Sequence, residues 1–104
     1  VSTGATLLLS AASLNVANNL TFSAGSSLMS NIANTTNIIS GNTAFNGTTT
    51  LNTPSPLSSA LRLQGAITGT GTISKSGAGT IILAGNGSTT YSGNITMAAG
   101  TLQV

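Results

Sequence analysis

The chain is 104 residues long, carries a formal charge of +2, and contains no Asp, Glu, His or Cys. General acid–base catalysis and metal binding rely on those four side chains, and a serine nucleophile would find only Lys75 as a base, so neither an enzyme nor a metalloprotein is expected. The two cations, Arg62 and Lys75, form no cluster able to neutralise a phosphate backbone; nucleic acid is not an expected partner, and both read as solvated side chains.

Ser, Thr, Asn and Gly make up more than half of the sequence, yet the 39% of apolar residues recur regularly enough to favour an ordered chain. No long segment keeps a helical apolar stripe. Short alternating triplets appear instead, as half-buried strands require. In chain order, an apolar start at Leu7-Leu8-Leu9 leads to Leu14-Asn15-Val16 and Leu20-Thr21-Phe22. The turn formers Ala24-Gly25 then precede a strand around Leu28. Ile38-Ile39, the turn Gly41-Asn42, Phe45, the turn Asn46-Gly47 and Leu51 follow. Thr53 to Ser59 holds both prolines and reads as a corner loop, because proline cannot donate to a strand ladder. Beyond it come Leu61-Arg62-Leu63, Ile67, Ile73, Ile81 to Leu83, the turn Gly85-Asn86-Gly87, Thr89 to Tyr91, Ile95, the turn Ala99-Gly100, and Leu102-Gln103-Val104.

These strands repeat. Leu28, Leu51, Ile73 and Ile95 are spaced 23, 22 and 22 residues apart. A second series runs Phe22, Phe45, Ile67 and Thr89 to Tyr91. A third runs Leu14-Val16, Ile38-Ile39, Leu61-Leu63, Ile81-Leu83 and Leu102-Val104, with slips between Leu63 and Leu83 and around Gly85 to Ser88. Three interleaved series of short strands predict an all-β, three-faced parallel β-solenoid of four to five coils, each of about 22 residues, spanning 1–104 as a single segment. At about 4.8 Å per coil the prism is roughly 22 Å tall. On this period Thr48, Thr70 and Ser92 form one outward column, Thr50, Thr72 and Asn94 a second, and Asn52, Ser74 and Thr96 a third. It also sets Ile39 and Ile82 beside Arg62, and Thr53 and Met97 beside Lys75.

The last third is more specific. Gly71, Ile73, Lys75, Gly77, Gly79, Ile81, Leu83, Gly85, Tyr91, Gly93, Ile95, Gly100, Leu102 and Val104 follow a pattern of Gly, aliphatic, Lys, Gly-x-Gly, alternating aliphatics, Gly, Tyr-x-Gly, a strand and a closing Gly-x-Leu-x-Val. Residues 69–104 thereby resemble the autotransporter-associated β-strand repeat, also called the passenger-associated transport repeat. They depart from it in the extra residues Gly87 to Thr89 and in Met97 where the pattern has Val. The resemblance implies a right-handed β-helix in the passenger domain of a Gram-negative autotransporter, extracellular or at the outer-membrane surface. Earlier residues share only the period.

For function, a rigid scaffold segment needs nothing beyond stacked coils. The apolar end strands, lacking blocking charges, suit end-to-end stacking into a filament; the equivalent partner is an adjacent coil of a longer chain. An adhesin binding host cells or glycans is a further expectation from the implied location. Thr48, Thr50, Thr70 and Thr72 make a two-by-two array reminiscent of ice-binding solenoids. It decays in the next coil, and such ladders serve the sheet itself. Tyr91 reads as a residue packing at a coil corner. Asn-x-Ser/Thr sequons are chance matches in this composition, and the Gly-rich segments are turns without the context of a phosphate loop. No basic segment precedes a long apolar run and no stretch approaches a spanning helix, so the sequence reads as a mature chain or an excised piece. No catalytic, cofactor-binding or metal residue is expected, and no cofactor.

Overall fold

The computed structural model of the chain describes residues 1–32, 34–53, 59–85 and 91–103. Among them lie thirteen short strands, all paired in parallel, and no helix. The first coil carries β1 (Thr6–Leu9), β2 (Asn15–Val16) and β3 (Leu20–Phe22). The second carries β4 (Ser26–Ser30), β5 (Thr36–Ile39) and β6 (Thr43–Phe45), and the third β7 (Thr49–Asn52), β8 (Ala60–Leu63) and β9 (Ile67–Gly69). In the fourth are β10 (Ile73–Ser76) and β11 (Thr80–Leu83), and in the fifth β12 (Ile95–Met97) and β13 (Thr101–Gln103). One face stacks β1, β4, β7, β10 and β12; the next stacks β2, β5, β8, β11 and β13; the third stacks β3, β6 and β9. This is the three-faced parallel solenoid that the periodicity predicts, about four turns of roughly 23 residues.

Strands of three to five residues alternate inward and outward, and the inward positions form the core. Leu28 lies over Leu51 on the first face, Ile39 over Leu63 on the second, and Phe22 over Phe45 on the third. All six are almost wholly buried. Each such side chain withdrawn from water stabilises the fold by about 1.5–3 kcal/mol before its entropy cost is counted. The Phe22 and Phe45 rings stack at 5.5 Å between centroids. One coil further, the place in this column falls to Gly69, at φ +105 and with Phe45 O 2.2 Å from where a Cβ would stand. The missing side chain leaves room for Tyr91, whose ring meets Phe45 edge-on at 6.1 Å. Its hydroxyl donates towards Gly71 O and Asn94 O. Tyr91 is the corner-packing residue expected.

The coil length is not constant. Ser26 pairs with Thr49, Thr49 with Ile73 and Ile73 with Ile95, giving steps of 23, 24 and 22. The corner joining the first face to the second changes in length from coil to coil. It takes five residues after β1, at Ser10 to Leu14, and three after β10 and β12, at Gly77 to Gly79 and Ala98 to Gly100. A uniform 22-residue period therefore misaligns by two residues the third coil with the fourth on the first face, and the second with the third on the third face. Leu51 pairs with Lys75 rather than Ile73, and Thr43 rather than Phe45 pairs with Ile67. The proline-containing stretch 54–58, residues 86–90 and Val104 lie outside the described residues, so the corner-loop reading of 54–58 and the Thr89 member of the second series are not addressed.

Candidate functional site

Outward positions of the first face carry a hydroxyl row, Thr6, Ser27, Thr50, Ser74 and Thr96, with one member per coil. Thr50 has Ser27 and Ser74 as its neighbours, so the two-by-two array of Thr48, Thr50, Thr70 and Thr72 is not formed in pairing register. The third predicted column fails for the same reason: Asn52 neighbours Ser76, not Ser74, and only Ser74 and Thr96 pair as expected.

Arg62 points outward from β8, between Ile38 and Ile82 of the flanking coils. Ile82 is as expected, and Ile38 takes the place assigned to Ile39. The guanidinium stem is half-buried along these aliphatic neighbours, and its Nε has no hydrogen-bond partner.

Lys75 is the main correction. It is 0% exposed, pointing inward from β10 with Leu51 on one side and Met97 on the other. Met97 is the neighbour expected; Leu51 replaces Thr53. The methylene stem continues the apolar column, while the ammonium reaches the tight corner after β10. There Nζ donates to Ser76 O at 2.7 Å, to Gly77 O at 2.8 Å and to Ala99 O of the fifth coil at 3.4 Å. Burial pushes its pKa below the ordinary lysine value. Strand parity carried the signal that a solvated reading overlooked, because Ile73 and Lys75 are two residues apart and share a face.

Lys75 belongs to a buried polar seam along the corner between the first and second faces. In the second coil Asn37 Nδ2 donates to Ser30 Oγ at 3.0 Å, and Asn37 Oδ1 accepts from Leu14 N of the first coil at 2.9 Å. Nearby, Thr35 Oγ1 accepts from Ser13 N at 2.8 Å. In the third coil Thr53 and Ser59 are buried, with hydroxyl oxygens that have no hydrogen-bond partner. Composition hid this seam, since Ser, Thr and Asn are everywhere and only pairing register separates inward from outward ones. Chemically, the seam holds the corner together: Asn37 Oδ1 and Lys75 Nζ each bind a main-chain atom of the adjoining coil, and Lys75 also binds carbonyls of its own corner.

The two ends of the stack are apolar. At the last coil the inward-facing Ile95 and Met97 are 38% and 42% exposed; at the first, Leu7, Leu14, Val16 and Leu20 are only partly buried. Leu8, which faces outward, is 47% exposed. Among the described residues no group of three or more potential metal ligands occurs, and no helix is long and apolar enough to cross a membrane. Compared with protein-family models, curated proteins and solved structures, the chain matches none.

Proposed function

We propose that this chain is a non-catalytic structural element, a rigid solenoid segment serving as scaffold in a bacterial cell-surface or secreted protein of the autotransporter passenger kind. The observation that carries the reading is the stack itself. Five coils lie in parallel register over one apolar column, and Asn37 and Lys75 of the seam are buried with bonds to backbone atoms. Residue inventory agrees, because the sequence offers no carboxylate, imidazole or thiol. The bacterial setting rests on the sequence resemblance in residues 69–104. Its support is that Lys75, Gly77, Tyr91 and Gly100 join the last coils to those before them.

End-to-end self-assembly is a second reading, favoured by the uncovered Ile95 and Met97 at one end and the half-covered Leu7 and Leu20 at the other. An adjoining coil of a longer polypeptide satisfies the same surfaces. The deciding experiment attaches spin labels at outward positions of the first and last coils, for example Thr6→Cys and Thr96→Cys, and measures the distance distribution. A scaffold gives one narrow distance; a broad distribution overturns the scaffold reading. Electron microscopy of the same chain separates the second reading. Fibres one solenoid wide that vanish in Leu102→Lys support assembly, and dispersed particles contradict it.

A further inference from the structure

We propose that Asn46 is a site of spontaneous covalent modification: in the folded stack its side chain closes on the Gly47 nitrogen, loses ammonia, and opens to aspartate and isoaspartate. The inference rests on the geometry of one corner and not on the scaffold reading.

Asn46, Gly47 and Thr48 form the corner between β6 and β7, with the corners at Ala24 and Gly71 packed on its two sides. The Asn46 side chain is exposed and makes no hydrogen bond among the described residues. Other asparagines are clamped between coils. Asn15 Oδ1 accepts from Ser40 Oγ at 2.7 Å, Asn19 Oδ1 from Asn42 N at 2.9 Å, Asn37 Oδ1 from Leu14 N at 2.9 Å and Asn42 Oδ1 from Ala66 N at 3.0 Å. The peptide group that must react is free as well. Asn46 N donates to Phe22 O at 2.9 Å and Thr48 O accepts from Gly25 N at 2.8 Å, but the Asn46 carbonyl and the Gly47 N–H between them make no hydrogen bond among the described residues. This peptide can turn without breaking a ladder bond. Finally, the stack itself demands the glycine. A Cβ on Gly47 would lie 2.5 Å from Ala24 Cα, and one on Gly71 would lie 2.2 Å from Gly47 O, so these corners pack backbone on backbone. The attacking nitrogen is therefore left without a shielding side chain, whereas Asn15, Asn19, Asn37 and Asn42 precede the branched residues Val16, Leu20, Ile38 and Thr43.

In the reaction, hydroxide takes the Gly47 N–H proton and the nitrogen bonds to Asn46 Cγ. The Cγ–Nδ2 bond breaks, and Nδ2 leaves as ammonia after taking a proton from water, which restores the hydroxide. Water then opens the cyclic imide. Opening at Cγ gives aspartate on an unchanged backbone. Opening at the main-chain carbonyl gives isoaspartate, whose backbone runs through Cβ and Cγ and adds a methylene to the packed corner. Either product places a carboxylate in a chain whose sequence has no acidic side chain.

The test incubates the native chain at mildly alkaline pH in heavy-oxygen water, beside a urea-unfolded sample, and maps proteolytic peptides by mass spectrometry. Peptides carrying Asn46 are read separately from those carrying Asn86, which begins the other Asn-Gly pair of the sequence and lies outside the described residues. In the native sample Asn46 should convert while Asn15, Asn19, Asn37 and Asn42 stay amides, with heavy oxygen in the new carboxylate and isoaspartate among the products. Asn46→Gln, whose longer side chain would have to close a larger ring, should lose the conversion at this position. The isoaspartyl species should lose amide protection at Gly25 and Gly71, which donate to Thr48 O and Phe45 O, while Asn46→Asp retains it. An Asn46 that stays an amide in the native sample, whether or not it converts in urea, overturns the proposal. Conversion of the four clamped asparagines as fast as Asn46 overturns it too, since the corner would then confer nothing. So does aspartate formed without isoaspartate, because direct hydrolysis would have replaced ring closure.

Discussion

At the scale of single residues, the fold is a column of inward side chains. Leu51 stands midway, wholly buried between Leu28 and the stem of Lys75. Replacing it by alanine removes contacts on both sides and leaves a void that two flanking ladders hold open. Leu51→Ala should cost about 2–5 kcal/mol in urea unfolding; a loss under about 1 kcal/mol would contradict a packed column. Lys75 adds a dependence on pH. Burial lowers its pKa in the folded chain, so the unfolded chain binds the proton more tightly. Stability should therefore rise with pH between the lowered folded value and the ordinary lysine value. Tyr91 works in the opposite sense at the top of that range, because burial, against a smaller opposing effect of a backbone hydrogen bond at Ile73, raises its pKa and the unfolded chain ionises first. The difference between wild type and Lys75→Met isolates the lysine. The urea midpoint of the wild type should climb relative to the variant as pH rises, and parallel profiles would show that burial leaves the amine unperturbed.

At the scale of elements, strands were legible in the sequence and corners were not. Alternating triplets such as Leu61-Arg62-Leu63 announce their own pairing, since one face must be buried and a one-residue slip would expose it. A slip of two residues keeps the parity, and nothing in β7 or β10 alone forbids it. The shift to Leu51 opposite Lys75 is set by the number of residues separating β7 from β8, which apolar spacing does not reveal. The buried seam was hidden for a related reason: Asn37 resembles every other Asn in the chain until its register places it inward. Its bond from Leu14 N ties the first coil to the second, and its bond to Ser30 Oγ closes the corner within the second coil. Asn37→Ala should destabilise the chain by about 1–3 kcal/mol, by leaving the Leu14 amide and Ser30 hydroxyl without these partners. Amide exchange should show the loss concentrated in β2 and β5; protection of the Leu14 amide equal to wild type would contradict the cross-link.

At the scale of the whole molecule, the account is of a stack whose neighbours are fixed by ladder register and whose ends remain open to a further coil. Scarcity of charge suits this arrangement, because like charges on equivalent positions would face each other at about 4.8 Å. The stack has solved it for its two cations, one lying outward between Ile38 and Ile82 and one inward between Leu51 and Met97. Register is also what can be measured most directly, since the chain has no cysteine of its own. Paired residues on adjoining parallel strands lie about 4.8 Å apart, within the span a disulfide can bridge, whereas a two-residue offset carries them beyond about 7 Å. A chain with Thr50→Cys and Ser74→Cys should therefore oxidise rapidly to an intramolecular disulfide, and one with Thr50→Cys and Thr72→Cys should stay reduced. Cross-linking of the second pair in preference to the first, or of neither, would contradict the stack described.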